Sequence, residues 1–248
     1  MASSEQKDAT GASTKVNLAR SAVEKELAGE ASNDFDEVAG QQGFARLVQY
    51  LIFFGCLLFA GYHCVTTIFG MPVAYVHRPI HVMFAASLAF LVYPSSKKRG
   101  PAPLDLVLAL VALAAFALPA IQADQIAERL VMVDDLTLGQ TISGITALVL
   151  VLVLIQRVVG MSLLVVCLLF LAYALWGNHI PGMLAHKGFT WNEVVDYLGF
   201  GLEGLYSSAI GVSATYIAAF IVFGTFLERC GAGDVLMDLG RALTGHYR

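Results

Sequence analysis

The chain has 248 residues, of which 57% belong to the set Ala, Val, Ile, Leu, Met, Phe, Trp, Tyr and Cys and only 14% are charged. A soluble domain carries about a quarter charged residues, and a mean hydropathy of +0.70 with the apolar residues gathered in long blocks excludes an ordinary water-soluble globule. With 15 Lys and Arg against 19 Asp and Glu and no basic cluster larger than Lys97-Lys98-Arg99, nucleic acid is not an expected partner.

Residues 1–45 read as a disordered cytoplasmic tail. Met1 to Gln42 is polar and mixed in charge, with no apolar core of a signal peptide, and it holds too little apolar surface to offset chain entropy. A transient helix near Val16–Leu27 is compatible with that reading. Four cysteines, Cys56, Cys64, Cys167 and Cys230, show no CxxC or Cys/His spacing, so neither a metal site nor a disulfide framework is expected.

Charge-free gaps then locate the spans, since a bilayer core takes about 20 mainly apolar residues at 1.5 Å rise each. No charge falls between Arg46 and Arg78, and Leu47–Phe69 is predicted as the first span. His63 interrupts it and reads as a satisfied interior or interfacial group. The second span, Ile80–Tyr93, is short. His77 and His81 at its mouth are four residues apart, a metal-compatible helical spacing, but Pro79 intervenes and no third ligand is evident; an interfacial, snorkelling role is expected of them. Span three is Leu104–Ile121. The polar segment Gln122–Leu138 follows, where Asp124 and Glu128 read as solvated surface charges. Span four, Leu138–Gln156, and span five, Met161–Trp176, form a tight hairpin across Arg157 and Gly160.

Thr190-Trp191-Asn192-Glu193 fits a capping box. Trp191, Val194, Val195, Leu198, Leu202 and Leu205 follow at helical spacing, with Asp196 and Glu203 expected to point elsewhere, so an amphipathic helix lying at the membrane–water boundary is predicted. Span six, Ser207–Leu227, carries Ser207, Ser208, Ser213, Thr215, Gly211 and Gly224. Its hydroxyls and small residues suit close helix packing. Ser213 and Thr215 are the candidates for a substrate or ion path, while Glu203, Ser207, Ser208 and Glu228 read as interfacial or packing residues. Gly231 and Gly233 end the span, and Asp234–Leu243 is an amphipathic helix. The fold class is therefore an all-α integral membrane protein with about six transmembrane helices and one interfacial helix. The distribution of Lys and Arg over alternate loops puts both termini on the cytoplasmic side.

His77-Arg78-Pro79 with His81, Tyr93-Pro94, Glu203-Gly204-Leu205-Tyr206, Gly211-Val212-Ser213-Ala214-Thr215-Tyr216 and Phe223-Gly224-Thr225-Phe226-Leu227-Glu228 with Gly231-Ala232-Gly233 together resemble the fused permease of the TRAP transporters, in the branch served by TAXI-type binding proteins. The resemblance implies a four-helix Q-like scaffold at 46–157 and the start of an M-like transport domain at 158–248. It implies a truncated or fragmentary permease, with sodium and substrate sites beyond Arg248 and the remaining M-domain helices as partners. It also implies elevator-type uptake of small organic anions such as carboxylates across the inner membrane, driven by Na⁺ or H⁺ and fed by a periplasmic TAXI-type binding protein. No other cofactor, no catalytic residue and no metal ligand is expected. The alternative from another class is a polytopic membrane anchor or sensor domain; no nucleophile–base pair favours an enzyme.

Overall fold

The computed structural model describes residues 43–95 and 102–244. The expected tail, its helix near Val16–Leu27 and the basic loop of Lys97, Lys98 and Arg99 lie outside these residues. The chain divides into two units, Met1–Gln49 and Tyr50–Arg248. The described part of the first is the opening of helix α1, Gly43–Phe69; the second holds the remainder of α1 and every other element.

Six helices are long and apolar enough to cross a membrane. They are α1, α2 (Ala74–Val92), α3 (Pro103–Ile121), α5 (Leu138–Val158), α6 (Met161–Trp176, continued by a 3₁₀ turn to His179) and a composite helix over Ser208–Arg229. The short α4 (Ala123–Glu128) and α7 (Trp191–Gly199) lie between them, and α10 (Ala232–Thr244) follows. All described secondary structure is helical, as the long charge-free blocks require, because a backbone in hydrocarbon must satisfy its own hydrogen bonds. Large apolar side chains such as Phe53, Leu58, Ile68, Leu110 and Phe170 face outward, where lipid rather than water is their solvent.

α2 packs along α3, α3 against α5, and α5 against both α6 and α7. α2 begins at Ala74, six residues earlier than the apolar run, and carries Pro79 in its second turn. Val82, Ala86 and Phe90 of α2 are buried, as are Ala109, Ala112 and Phe116 of α3, the helix it packs along. α1 lies against α2 at Gly55, where a Cβ would stand 2.7 Å from Leu88 Cδ2. The α5–α6 hairpin turns at Gly160, whose φ of 113° is a conformation glycine alone adopts freely.

Asp105, in the first turn of α3, is fully buried and ties the cluster together. Its carboxylate accepts from Ser95 N, Ser95 Oγ and Ala102 N, and from Arg157 Nη1 at 2.7 Å. The Arg157 guanidinium also rests over the Phe90 ring at 5.2 Å. One carboxylate thus joins the ends of α2, α3 and α5 with its lone pairs filled, the condition under which a buried ion pair is tolerated.

α7 has the expected capping box: Thr190 Oγ accepts from Glu193 N, and the Glu193 carboxylate accepts from Thr190 N at 2.6 Å. Two expectations about this segment need correction. The helix ends at Gly199 instead of running on to Leu205. Residues 200–207 fold back on its last turn, with Leu205 N donating to Leu198 O at 2.8 Å. This is possible because Gly204 has no Cβ; one there would lie 2.5 Å from Leu198 Cα. Nor does Asp196 point away from the apolar face. It is buried, accepting from Met132 N at 2.7 Å and pairing with Arg129 at 3.3 Å, and so it pins the 129–134 loop onto α7. Val194 and Val195 are buried beside it, and α7 closes on α5 through Gly144, where a Cβ would stand 2.7 Å from Val195 Cγ1. Asp124 and Glu128 on α4 are exposed.

Candidate functional site

The composite span is not one regular helix. α8 (Ser208–Val212) passes into a single π-helical turn, Ser213–Ile217, and then into α9 (Ala218–Arg229). A π turn inserts one residue and shifts the hydrogen-bond register by one. The Ala218 N–H accordingly bonds to Ser213 O, one residue beyond its α-helical partner. The Ala214 carbonyl that it passes over is buried and receives a side chain instead: His77 Nε2 lies 3.2 Å from it.

His77 is one of three histidines gathered here. His63 on α1, His77 and His81 on α2 are 3%, 3% and 8% exposed. The interfacial, snorkelling role expected of His77 and His81 is therefore overturned: both rings point into the helix bundle, where each ring nitrogen finds a partner. His81 Nδ1 faces His63 Nε2 at 3.0 Å, and His81 Nε2 faces Ser213 Oγ at 3.2 Å. His77 Nδ1 faces the Tyr62 hydroxyl at 2.8 Å. The rings also touch edge to face, His63 to His81 with centroids 5.1 Å apart and Phe59 closing over both.

The partners assign protons. A carbonyl only accepts, so His77 Nε2 carries hydrogen and donates to Ala214 O. In the neutral ring Nδ1 is then bare and accepts from Tyr62 Oη. The two hydrogen bonds of the second chain, His63–His81–Ser213, run between side chains. Either His63 donates to His81 and His81 to Ser213, or Ser213 donates to His81 and His81 to His63. Both arrangements satisfy the same three groups, and they differ only in the direction of the hydrogens. The two chains together couple α1, α2 and the π turn through polar contacts within a largely apolar span.

Ser213 is thus held in the network and lines a cleft of about 330 Å³ with Phe59, His63, His81 and Ile217. Thr215 is not in it: its hydroxyl donates to Gly211 O at 2.9 Å, one turn back, and the side chain borders a separate cleft beside Arg78. The structure does not bring the two candidates to one point. Ser207 is half-buried at the start of α8, Ser208 and Glu203 are exposed, and Glu228 is exposed near the end of α9, its side chain making no hydrogen bond or ion pair among the described residues. The described residues contain no group of three or more His, Cys, Asp and Glu arranged to hold a metal ion.

The network includes Tyr62, His63, His77, His81 and the Ala214 carbonyl, which reasoning from the sequence did not join. The one available signal was the pair His77 and His81 on the same side of a helix as a nearby span bearing His63. Nothing in Ser213–Ile217 marks a π turn.

Residues 146–248 match the model of the family described as Tripartite ATP-independent periplasmic transporter, DctM component. The matched segment begins inside α5 and contains α6, α7, the π turn and α9. Comparison with curated proteins and with solved structures gave no match.

Proposed function

We propose that this chain is a membrane permease component of a TRAP-type, binding-protein-dependent secondary uptake system for small organic anions such as carboxylates. The observation that carries the reading is the family match over 146–248, whose residues include the π-broken span and the polar contacts it makes with α2. An interrupted span beside a hydrogen-bonded cluster is how membrane proteins expose backbone and side-chain polar groups at depth without facing them to lipid.

In this reading residues 46–157 are the Q-like scaffold and 158–248 the opening of the M-like transport domain, with the His77–Ala214 bond joining the two. A periplasmic TAXI-type binding protein delivers the anion, a Na⁺ or H⁺ gradient drives it, and Ser213 and Thr215 border its path or that of the ion. The chain spans the inner membrane with both termini cytoplasmic. Labelling of a Lys97→Cys variant from the outside checks the orientation, which requires that site to be shielded.

The decisive experiment is uptake of radiolabelled succinate by proteoliposomes holding this chain, the remaining M-domain helices and the binding protein, under an imposed Na⁺ or pH gradient. Uptake that needs all three components is expected. Equal uptake without residues 43–248, or none under either gradient with a panel of carboxylates, favours the polytopic anchor or sensor.

A further inference from the structure

Among the described residues of the second unit three arginines are half-buried: Arg78, Arg129 and Arg157. Two have a carboxylate, Asp196 at 3.3 Å from Arg129 and Asp105 at 2.7 Å from Arg157. Arg78, in the second turn of α2, has none among the described residues. Its one side-chain hydrogen bond among the described residues runs from Nη1 to Tyr206 O at 2.8 Å. A guanidinium has five N–H donors, and a charge withdrawn from water and left unpaired is costly.

The unpaired side of Arg78 borders a cleft. Between α2 and the α8–π-turn segment lies an open cavity of about 360 Å³, lined by His77, Arg78, Ser208, Gly211, Thr215 and Tyr216 among others, with no acidic side chain on its wall. The guanidinium is seated by Gly211. A Cβ there would stand 3.0 Å from Nε, 3.1 Å from Cζ and 3.1 Å from Nη2. Near-equal distances to all three atoms lay the flat face of the group on the helix at Gly211. The Nε–Nη2 edge then runs along the helix surface instead of into it. That edge has the two parallel N–H donors that match a carboxylate or phosphate bidentately. Of the three hydroxyl-bearing residues on the wall, Thr215 is committed to Gly211 O, while Ser208 and Tyr216 are exposed and make no side-chain hydrogen bond among the described residues.

We propose that this cleft is an anion site: one oxyanion group, a carboxylate or a phosphate, is held on the Nε–Nη2 edge of Arg78 with the Ser208 hydroxyl as a further donor. The site bridges α2, outside the family match, and α8, within it. It does not depend on the transport reading, because the group can come from a free small anion or from a lipid headgroup.

The test uses the full chain in nanodiscs. In phosphatidylcholine discs the thermal unfolding midpoint, read from tryptophan fluorescence, is titrated with succinate and with inorganic phosphate, against chloride at equal ionic strength. In a second arm phosphatidylglycerol is added to the bilayer. A saturable rise in midpoint is expected in at least one arm. A rise with succinate or phosphate in neutral discs assigns a free oxyanion; a rise with phosphatidylglycerol alone assigns a headgroup. Arg78→Gln is expected to weaken the apparent affinity at least about tenfold, with Arg78→Lys in between. If Arg78→Gln does not fold, Gly211→Ala keeps the charge but displaces the guanidinium from its seat and is expected to weaken binding too. No saturable rise in any arm, a rise equal to that with chloride, or unchanged affinity in the folded variants overturns the site.

Discussion

His81 Nδ1 and His63 Nε2 lie 3.0 Å apart and share a single hydrogen. Two imidazoles in that relation cannot both be fully protonated, because each would then present a hydrogen to the other. His77, one turn earlier on α2, differs: the Ala214 carbonyl fixes its hydrogen on Nε2. Nitrogen-15 spectra of histidine-labelled protein are expected to show neutral His77 in the Nε2–H form and never both His63 and His81 as imidazolium. An Nδ1–H signal assigned to neutral His77 contradicts the geometry.

The same contacts set a mutational scale. Ser213→Ala removes one neutral hydrogen bond and is expected to lower stability by about 1 kcal/mol. His77→Leu strips the partners from Ala214 O and from Tyr62 Oη together, and its cost is expected to be larger, about 2–4 kcal/mol. Thermal unfolding of the two variants checks the order; a Ser213→Ala loss exceeding that of His77→Leu speaks against the network.

Asp105 and Arg157 offer the sharpest stability test. Asp105 is fully buried and its ion pair with Arg157 is 2.7 Å long. Asp105→Ala leaves a half-buried guanidinium and orphans the Ser95 and Ala102 N–H groups, with an expected loss of about 3–5 kcal/mol. Adding Arg157→Leu is expected to recover part of it, since the stranded charge is gone. A double variant as unstable as the sum of the two single losses removes the argument.

Tyr206 is 1% exposed and its hydroxyl has no hydrogen-bond partner among the described residues. Burial pushes the phenol up from its ordinary value of 10.0. The folded state therefore holds this proton more tightly than the unfolded chain, and stability falls as pH rises above the unfolded value. Tyr206→Phe is expected to be neutral or to stabilise by up to about 1 kcal/mol, and to soften the alkaline loss. A steeper alkaline loss in the variant tells against this.

Glu193 works in the opposite direction. The Thr190 N–H, and next its hydroxyl, hold the Glu193 carboxyl below its ordinary value of 4.5. The contribution to α7 is present above the unfolded value and is lost as pH falls through the lower folded one. Amide exchange at the start of α7 is expected to quicken over that acid range in the wild type and to show little such dependence in Glu193→Gln.

The spans were legible because charge-free length is a local property: Leu138–Gln156 and Met161–Trp176 needed only counting. The capping box at Thr190 was legible for the same reason. The rest depended on partners far away. Asp196 looked like a solvent-facing residue because Arg129 stands 67 positions earlier, and His77 looked interfacial because its acceptor lies 137 positions later. The end of α7 rested on Gly204 meeting the backbone of Leu198, a contact that helical spacing does not encode. Ser213 and Thr215 stand out in the sequence by their hydroxyls, yet of the two only Ser213 reaches across to another helix.

The π turn has a mechanical meaning of its own. One extra residue in a helix rotates everything beyond it by about 100° relative to an uninterrupted helix. Deleting a single residue within Ser213–Ile217 would restore a regular helix of nearly the same length and hydropathy, able to cross a bilayer as before. Yet it would swing Ile221 and Phe226 to a different bearing and close the Ala214 carbonyl back onto the helix. A bookkeeping of span lengths would register no loss, while α9 would face the wrong neighbours. In this chain the aim of the last span is set by an insertion one residue long.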